Sequence, residues 1–126
     1  MTNNKTKVSY EGISSRGVDQ FLNIRFGEDT GGPNRFTAAK PFRLPPRSKV
    51  KATKRGDACP QAIQGIIPPM TDVVSQSEDC LNLRIARPAD EKLYTKPLPV
   101  MVYIYGGELS QQIAGSKAPF SYHQLS

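Results

Sequence analysis

The chain has 126 residues, a formal net charge of +6 and a hydrophobic content of 37%. This length is enough for one small domain. No run approaches the roughly 18 consecutive apolar residues of a membrane span, and the first residues lack the apolar core of a signal peptide. The sequence therefore predicts no membrane span and gives no visible export signal.

Two short strands are predicted near the start of the chain. Residues Val8–Tyr10 and Gly17–Phe26 have strand character, and apolar residues alternate partially along the second. A turn is predicted between them at Glu11–Ser15. We expect the two strands to form the antiparallel start of a sheet. The stretch 27–46 is rich in Gly, Pro, Asn and Thr, which predicts a loop.

Positive charge is concentrated in the first half of the chain. Twelve of the 17 basic residues lie in the first 55 positions, and the segment 40–55 holds seven of them without an acidic residue. Such a cluster attracts phosphates. However, three prolines interrupt it, so it cannot form a continuous helical face, and only Phe42 offers a ring for base stacking. We expect a solvated surface loop; the alternative is a small nucleic-acid binder, which predicts salt-dependent retention on DNA.

Two further strands are predicted downstream. Leu81, Leu83 and Ile85 alternate with polar residues, as in a strand buried on one side. Leu98–Tyr105 is an uncharged run bounded by proline and glycine, which is typical of a strand covered on both faces of a parallel sheet. Such a strand needs a crossover connection and helical cover, yet the sequence shows no long amphipathic helix. We therefore expect exposed apolar surface and aggregation of the isolated chain.

Three motifs, taken in order, point to a family. They are G-x-x-CPQ at Gly56–Gln61, SEDCLNL at Ser77–Leu83 and LPVMVYIYGG at Leu98–Gly107. Together they resemble the type-B carboxylesterase/lipase family, which includes the cholinesterases and fungal lipases. The resemblance covers nearly the whole chain, and CPQ and SEDCL at this separation are specific signals.

The resemblance implies an α/β fold of the α/β-hydrolase type. A complete sheet of this kind needs several times the present length. We therefore expect residues 1–126 to be the amino-terminal part of a type-B carboxylesterase domain, with the opening strands of the central sheet, long loops and few helices.

The resemblance also implies an oxyanion loop. Relatives typically carry three consecutive glycines after the strand, and the second and third donate backbone N–H groups to the oxyanion. Gly106 and Gly107 match the first two positions, whereas Glu108 replaces the third. A side chain hinders close approach there, and its carboxylate opposes a developing negative charge. A degenerate gene copy, a splice or gene-model error after Gly107, and a tolerated variant remain open as explanations.

The chain has two cysteines, Cys59 and Cys80. From the cysteines alone, a disulfide and two free thiols are equally open. In the resembling family the matching positions form a disulfide that closes an Ω-type loop in the wall of the substrate gorge, and such enzymes are largely secreted. The resemblance thus implies this disulfide and an extracellular location, whereas a genuine start at Met1 implies the cytoplasm.

Ester hydrolysis in this family uses a serine on a G-x-S-x-G elbow, a histidine and an acid. No G-x-S-x-G occurs, so we assign no nucleophile and interpret the sole histidine, His123, as a solvated loop residue. No metal-ligand spacing or phosphate-binding glycine loop is present, which predicts neither a metal nor a cofactor. We expect a fragment of a carboxylic ester hydrolase that is inactive alone and acts on small-molecule esters when completed. The alternative is a noncatalytic, cholinesterase-like binding module.

Overall fold

The computed structural model describes residues 1–61, 75–93 and 96–104. Within these ranges the chain forms strands and loops and no α-helix. The strands are β1 (Ser9–Glu11), β2 (Ile13–Ser15), β3 (Val18–Arg25), β4 (Lys49–Lys51) and β5 (Asn82–Pro88), and short 3-10 turns lie at Gly32–Asn34 and Glu91–Leu93. The few helices and long loops agree with the predicted fold class.

A three-stranded antiparallel sheet has the strand order β2-β3-β5. The predicted antiparallel pairing of Val8–Tyr10 with Gly17–Phe26 is wrong, because β3 pairs with β2, and β1 pairs in parallel with β4. The predicted turn at Glu11–Ser15 is also wrong, because Ile13–Ser15 is itself a strand. The chain reverses at Arg16 and Gly17, whose φ angles are 51° and 76°. Two successive positive φ values make a two-residue hairpin turn that matches the right-handed twist of strands. Glycine adopts a positive φ without strain, so Gly17 allows the chain to reverse at residues 16 and 17 and not at the predicted residues 11–15.

The long pair in this sheet is β3 with β5, which confirms the strand predicted from alternation after Cys80. Its register changes by one residue between Phe21 and Ile24. The extra residue lies on β3, where Asn23 adopts a φ of 53°. Asparagine tolerates this left-handed conformation better than most residues, so it accommodates the bulge.

A second sheet consists of β1 and β4 in parallel. It is joined to β3 by way of Ala52, whose N–H donates to Glu11 O at 2.7 Å and whose carbonyl accepts from Leu22 N–H at 2.8 Å. Ala52 is fully buried and forms a small core with Phe21 and Ile24. The predicted surface loop at 40–55 is thus exposed on one side but contains β4, which the sequence did not indicate.

The apolar run before the glycine pair differs from its prediction. Residues 98–104 form no strand, and the side chains of Val100 and Ile104 are 86% and 85% exposed. Within the described residues no strand pairs with this run, and a parallel strand requires a neighbouring strand to form its ladder. The predicted exposure of apolar surface is confirmed for residues 98–104, but the predicted covered strand is wrong there. The last residue of that predicted strand, Tyr105, lies outside the described residues.

Candidate functional site

The predicted oxyanion positions Gly106, Gly107 and Glu108 lie outside the described residues, as does His123. So does the segment 62–74 of the disulfide-closed loop. The structure does describe both ends of that loop, residues 56–61 and 75–82, which we call the loop base. The loop base is therefore the part of the candidate site that the structure describes.

The loop base contains the disulfide that the resemblance implied. Cys59 and Cys80 are bonded, with their Cα atoms 5.0 Å apart and a sequence separation of 21. Cys80 is 7% exposed. A covalent link across such a loop restricts the unfolded chain and holds the CPQ and SEDC motifs side by side.

Hydrogen bonds reinforce the disulfide on the side facing the loop. Ala58 N–H donates to Ser75 O at 3.1 Å, and Ser77 N–H donates to Ala58 O at 2.9 Å. Beyond them the side-chain amide of Gln76 pairs with the backbone of Gln61, accepting at 2.9 Å and donating at 3.2 Å. The glutamine of CPQ thus contributes its backbone to closing the loop.

On the other side, the loop base is held by one asparagine and one glycine. The Asn82 side chain donates to the carbonyls of Asp57 and Cys80, at 3.1 Å each. Gly56 lies so close that a Cβ atom there would be 2.5 Å from Asn23 Oδ1 and 2.6 Å from Asn82 Cγ. A side chain at the glycine of G-x-x-CPQ would therefore force these amides to move, and Asn82 links both motifs to the start of β5.

The two acids of SEDC form ion pairs with distant arginines. Arg35 Nε lies 2.6 Å from Glu78 Oε1, and Arg25 Nη2 lies 2.5 Å from Asp79 Oδ1. Thr30 Oγ1 also donates to the Glu78 carbonyl at 2.6 Å. These carboxylates thus hold the loop base against β3 and the loop after it, a structural role rather than one in proton transfer. The sequence contained both acids but no signal for their partners.

Arg25 also borders an open cleft. Its guanidinium carbon lies 4.5 Å from the centre of the Phe42 ring, and its Nε is buried without a hydrogen-bond partner. The cleft has a volume of about 410 Å³ and is lined by Arg25, Glu28, Asp29, Asn34, Pro41, Phe42 and Arg43. Charges of both signs line it and no serine, cysteine or histidine does, so this cleft has no nucleophile for acyl transfer.

The described ranges contain neither a metal-ligand cluster nor a membrane-spanning helix. No group of three or more His, Cys, Asp or Glu side chains there could hold a metal ion. No helix in the same ranges has the length and apolar character needed to cross a membrane.

Comparison with known proteins places these features in a family. The model of the carboxylesterase family matches residues 5–125. An inactive carboxylesterase-like protein, VdtD of Byssochlamys spectabilis, is 46% identical over 121 residues, which is 95% of this chain and 20% of that protein. A secreted lipase of Arthroderma benhamiae is 41% identical over 101 residues, covering 80% of this chain and 17% of the lipase.

A solved structure shows the same relationship. A thermophilic PNB esterase superposes with a TM-score of 0.67 at 30% identity, covering 82% of this chain and 20% of the esterase. The chain thus spans about a fifth of the length of the proteins that it matches. The matching motifs, the disulfide between them and the likeness to an esterase structure agree, and the chain belongs to the carboxylesterase family and has the strands of an α/β-hydrolase fold.

Proposed function

We propose that residues 1–126 are the amino-terminal part of a type-B carboxylesterase domain that hydrolyses carboxylic esters of small molecules. The loop base is the observation that supports this proposal most strongly. A disulfide and a pair of glutamines join its two ends, and ion pairs hold it against β3 and the loop after β3, so the loop that it closes has a fixed anchor. The contribution of this chain is then the opening strands, the disulfide loop beside the substrate and the oxyanion loop.

In this proposal Gly106 and Gly107 bring their backbone to the ester carbonyl as it becomes a tetrahedral oxyanion. Gly107 N–H donates to the oxygen. Glu108 takes the place of a second glycine donor, and its carboxylate repels the negative charge that forms. Loss of one such donor raises the activation free energy by about 3 kcal/mol. Hydrolysis is therefore weak even where a nucleophile is supplied.

The 126-residue chain should be inert by itself, because its sequence contains no G-x-S-x-G elbow. The purified chain should turn over p-nitrophenyl esters no faster than buffer. Turnover above buffer that disappears after phosphonylation of serine would overturn the assignment of no nucleophile. A para-nitrobenzyl esterase assayed in parallel shows that the conditions support catalysis.

The Glu108 proposal has its own test in a longer gene product that carries an elbow serine. There, Glu108→Gly should raise kcat about 100-fold to 1,000-fold, because it restores a close-approaching donor and removes a repelling charge. Leu109→Gly, which adds a glycine one position later, is the matched control and should leave kcat low. Equal gains from both variants would show that loop flexibility, and not the donor at 108, limits the rate.

We also propose that the whole protein acts outside the cell. The disulfide and the secreted lipase among the similar proteins support this location. The cells that make the protein should release it into the medium, where it should migrate differently with and without reductant. Retention in the cytoplasm with free thiols would contradict the proposal.

A noncatalytic binding module is the second candidate. Glu108 favours this second candidate, because its carboxylate disfavours binding of an oxyanion. The name of the similar protein VdtD, an inactive carboxylesterase-like protein, also supports the module. The residue at the elbow of the longer gene product separates the two functions. A serine there supports the hydrolase, and any residue without a nucleophile supports the module.

A further inference from the structure

Pairing of β1 with β4 turns part of the basic cluster into a surface. Ser9 lies opposite Lys49, and Glu11 lies opposite Lys51. Residues opposite each other in a parallel pair share a face, and alternate residues of a strand point to opposite faces. Tyr10 packs against the buried core. The other face, with both lysines, therefore points away from the core.

Two turns add charge where these strands begin. Arg47 N–H donates to Thr6 O at 3.0 Å, and Ser9 N–H donates to Ser48 O at 2.9 Å. The turn before β4 thus lies against the turn before β1. Lys7 and Arg47 both adopt left-handed backbone conformations, with φ of 58° and 65°. The side chains of both residues are exposed.

We call this surface the basic face, and it comprises Lys7, Arg47, Lys49 and Lys51. All four residues are exposed, and within the described ranges none of them forms an ion pair. Glu11 is the one acidic residue of the two strands. Four positive charges and one negative charge leave the face with a net charge of +3. Unpaired cations at this spacing attract a partner with densely placed negative charges.

We propose that the basic face docks on an anionic lipid surface. Three of its four cations are lysines, which act as mobile point charges and need no fixed bidentate acceptor. Lys49 and Lys51 lie on the outer face of a small sheet, with Lys7 and Arg47 in the turns beside it, and this placement suits a plane of phosphate groups. Each such cation near an anionic bilayer strengthens binding about fivefold.

Nucleic acid fits the same face less well. Binding of single strands relies on aromatic side chains on which bases stack. Tyr10, the aromatic residue of β1, is directed to the core, and the Phe42 ring lies against Arg25. Recognition of a duplex usually places a helix or a ribbon in the groove with arginine or amide contacts to base edges. The two strands of the basic face form such a ribbon, but they carry no arginine, asparagine or glutamine to contact base edges, and the face presents no aromatic ring.

This inference does not depend on ester hydrolysis. Docking is a binding event on β1 and β4, whereas the proposed chemistry concerns residues 106–108. Failure of one therefore leaves the other standing. Docking would in addition bring the protein to surfaces where lipid esters are concentrated.

Flotation of vesicles mixed with the full 126-residue chain tests the proposal, because vesicle-bound chain rises in a density gradient whereas aggregated chain sinks. The oxidised chain should bind vesicles of equimolar phosphatidylcholine and phosphatidylglycerol, and should not bind vesicles of pure phosphatidylcholine. Molar salt should release it. The double variant Lys49→Gln/Lys51→Gln should bind about 25-fold more weakly, since two cations are lost. The matched control Lys92→Gln/Lys96→Gln loses the same charge at exposed positions after β5 and should bind within about twofold of the unmodified chain.

Arg47→Gly tests whether weaker binding results from lost charge and not from misfolding. It removes one charge of the face and places glycine at a φ of 65°, where glycine is unstrained. It should weaken binding about fivefold with no loss of stability. Equal binding to both vesicle types, or equal loss in the control variant, would overturn the proposal. Tighter binding to duplex DNA than to anionic vesicles at the same salt would overturn it in favour of nucleic acid.

Discussion

Contacts of single residues at the loop base explain the residue types found in the G-x-x-CPQ and SEDCLNL motifs. Gly56 is the clearest case, since its missing side chain leaves room for the amides of Asn23 and Asn82. The Asn82 amide then bonds the carbonyls of Asp57 and Cys80. In the sequence Gly56 resembles an ordinary loop glycine, but in the structure it lies where its own segment meets those of Asn23 and Asn82.

Replacing Gly56 by alanine should destabilise the chain. The new Cβ would lie within 2.6 Å of Asn82, and forcing the segments apart should lower the free energy of unfolding by about 1–3 kcal/mol. Urea titration followed by circular dichroism measures the change. Gly32→Ala is the control, because no atom lies within 4 Å of its Cβ position and only its positive φ is unfavourable. A Gly56→Ala loss no larger than the control loss would show that packing does not require the glycine.

Arg16 is a residue whose backbone is strained for its type. It precedes Gly17 in the two-residue turn and has a φ of 51°. Arg16→Asn should raise the free energy of unfolding by about 0.5 kcal/mol, because asparagine is the preferred first residue of such a turn. Thermal melting should show a higher midpoint. Gly17→Ala should lower the melting midpoint, because alanine is strained at a φ of 76°. A higher midpoint for both variants would contradict the turn assignment.

At the scale of elements, the disulfide loop is the feature that connects distant strands. The loop base joins the segment after β4 to the start of β5. Its acids also bind β3 and the following loop through arginines that are 31% and 57% exposed. Partly exposed ion pairs contribute little stability each. The covalent bond is therefore the main constraint.

Removing the disulfide should cost the most of any change at the loop base. Closure of a loop with a separation of 21 residues stabilises a chain by about 3 kcal/mol in the chain-entropy account. Cys59→Ser/Cys80→Ser should lower the free energy of unfolding by this amount, measured by urea titration. Reducing agent should lower the free energy of unfolding of the unmodified chain by the same amount and leave that of the variant unchanged. An unmodified chain that is insensitive to reductant would contradict the expectation.

For the whole molecule, the exposed apolar run governs solubility. Residues 98–104 are uncharged, and Val100, Met101 and Ile104 are more than four-fifths exposed. Such a segment, with high strand propensity and no charge, pairs readily with copies of itself. The small buried core of the described part offers little to cover it.

Placing a charge in this run should suppress aggregation. Val102→Lys interrupts the uncharged segment and should lower the turbidity of a concentrated solution on warming, because a lysine opposes strand stacking. Ser14→Lys adds the same charge at an exposed position of β2 and is the matched control. If both variants reduce turbidity equally, net charge and not this segment controls association.

Part of this fold could be predicted before the structure. Alternation in one short segment indicated β5, and partial alternation indicated β3, because strand character depends on near neighbours in sequence. The resemblance implied the disulfide. The reversal at Arg16 and Gly17 was missed because the Gly12 region offered a competing turn signal, and β4 was hidden within a charged and proline-interrupted segment.

By itself the sequence determined the strands with clear local patterns, and its motifs indicated the family, whose resemblance in turn implied the disulfide between Cys59 and Cys80. The tertiary structure alone decided which arginines hold Glu78 and Asp79, why Gly56 has no side chain, and how the basic residues beside β1 and β4 come to share a face. Arg25 and Asp79 are 54 residues apart in sequence. Contacts over such distances depend on strand register and chain reversal, which no local pattern encodes.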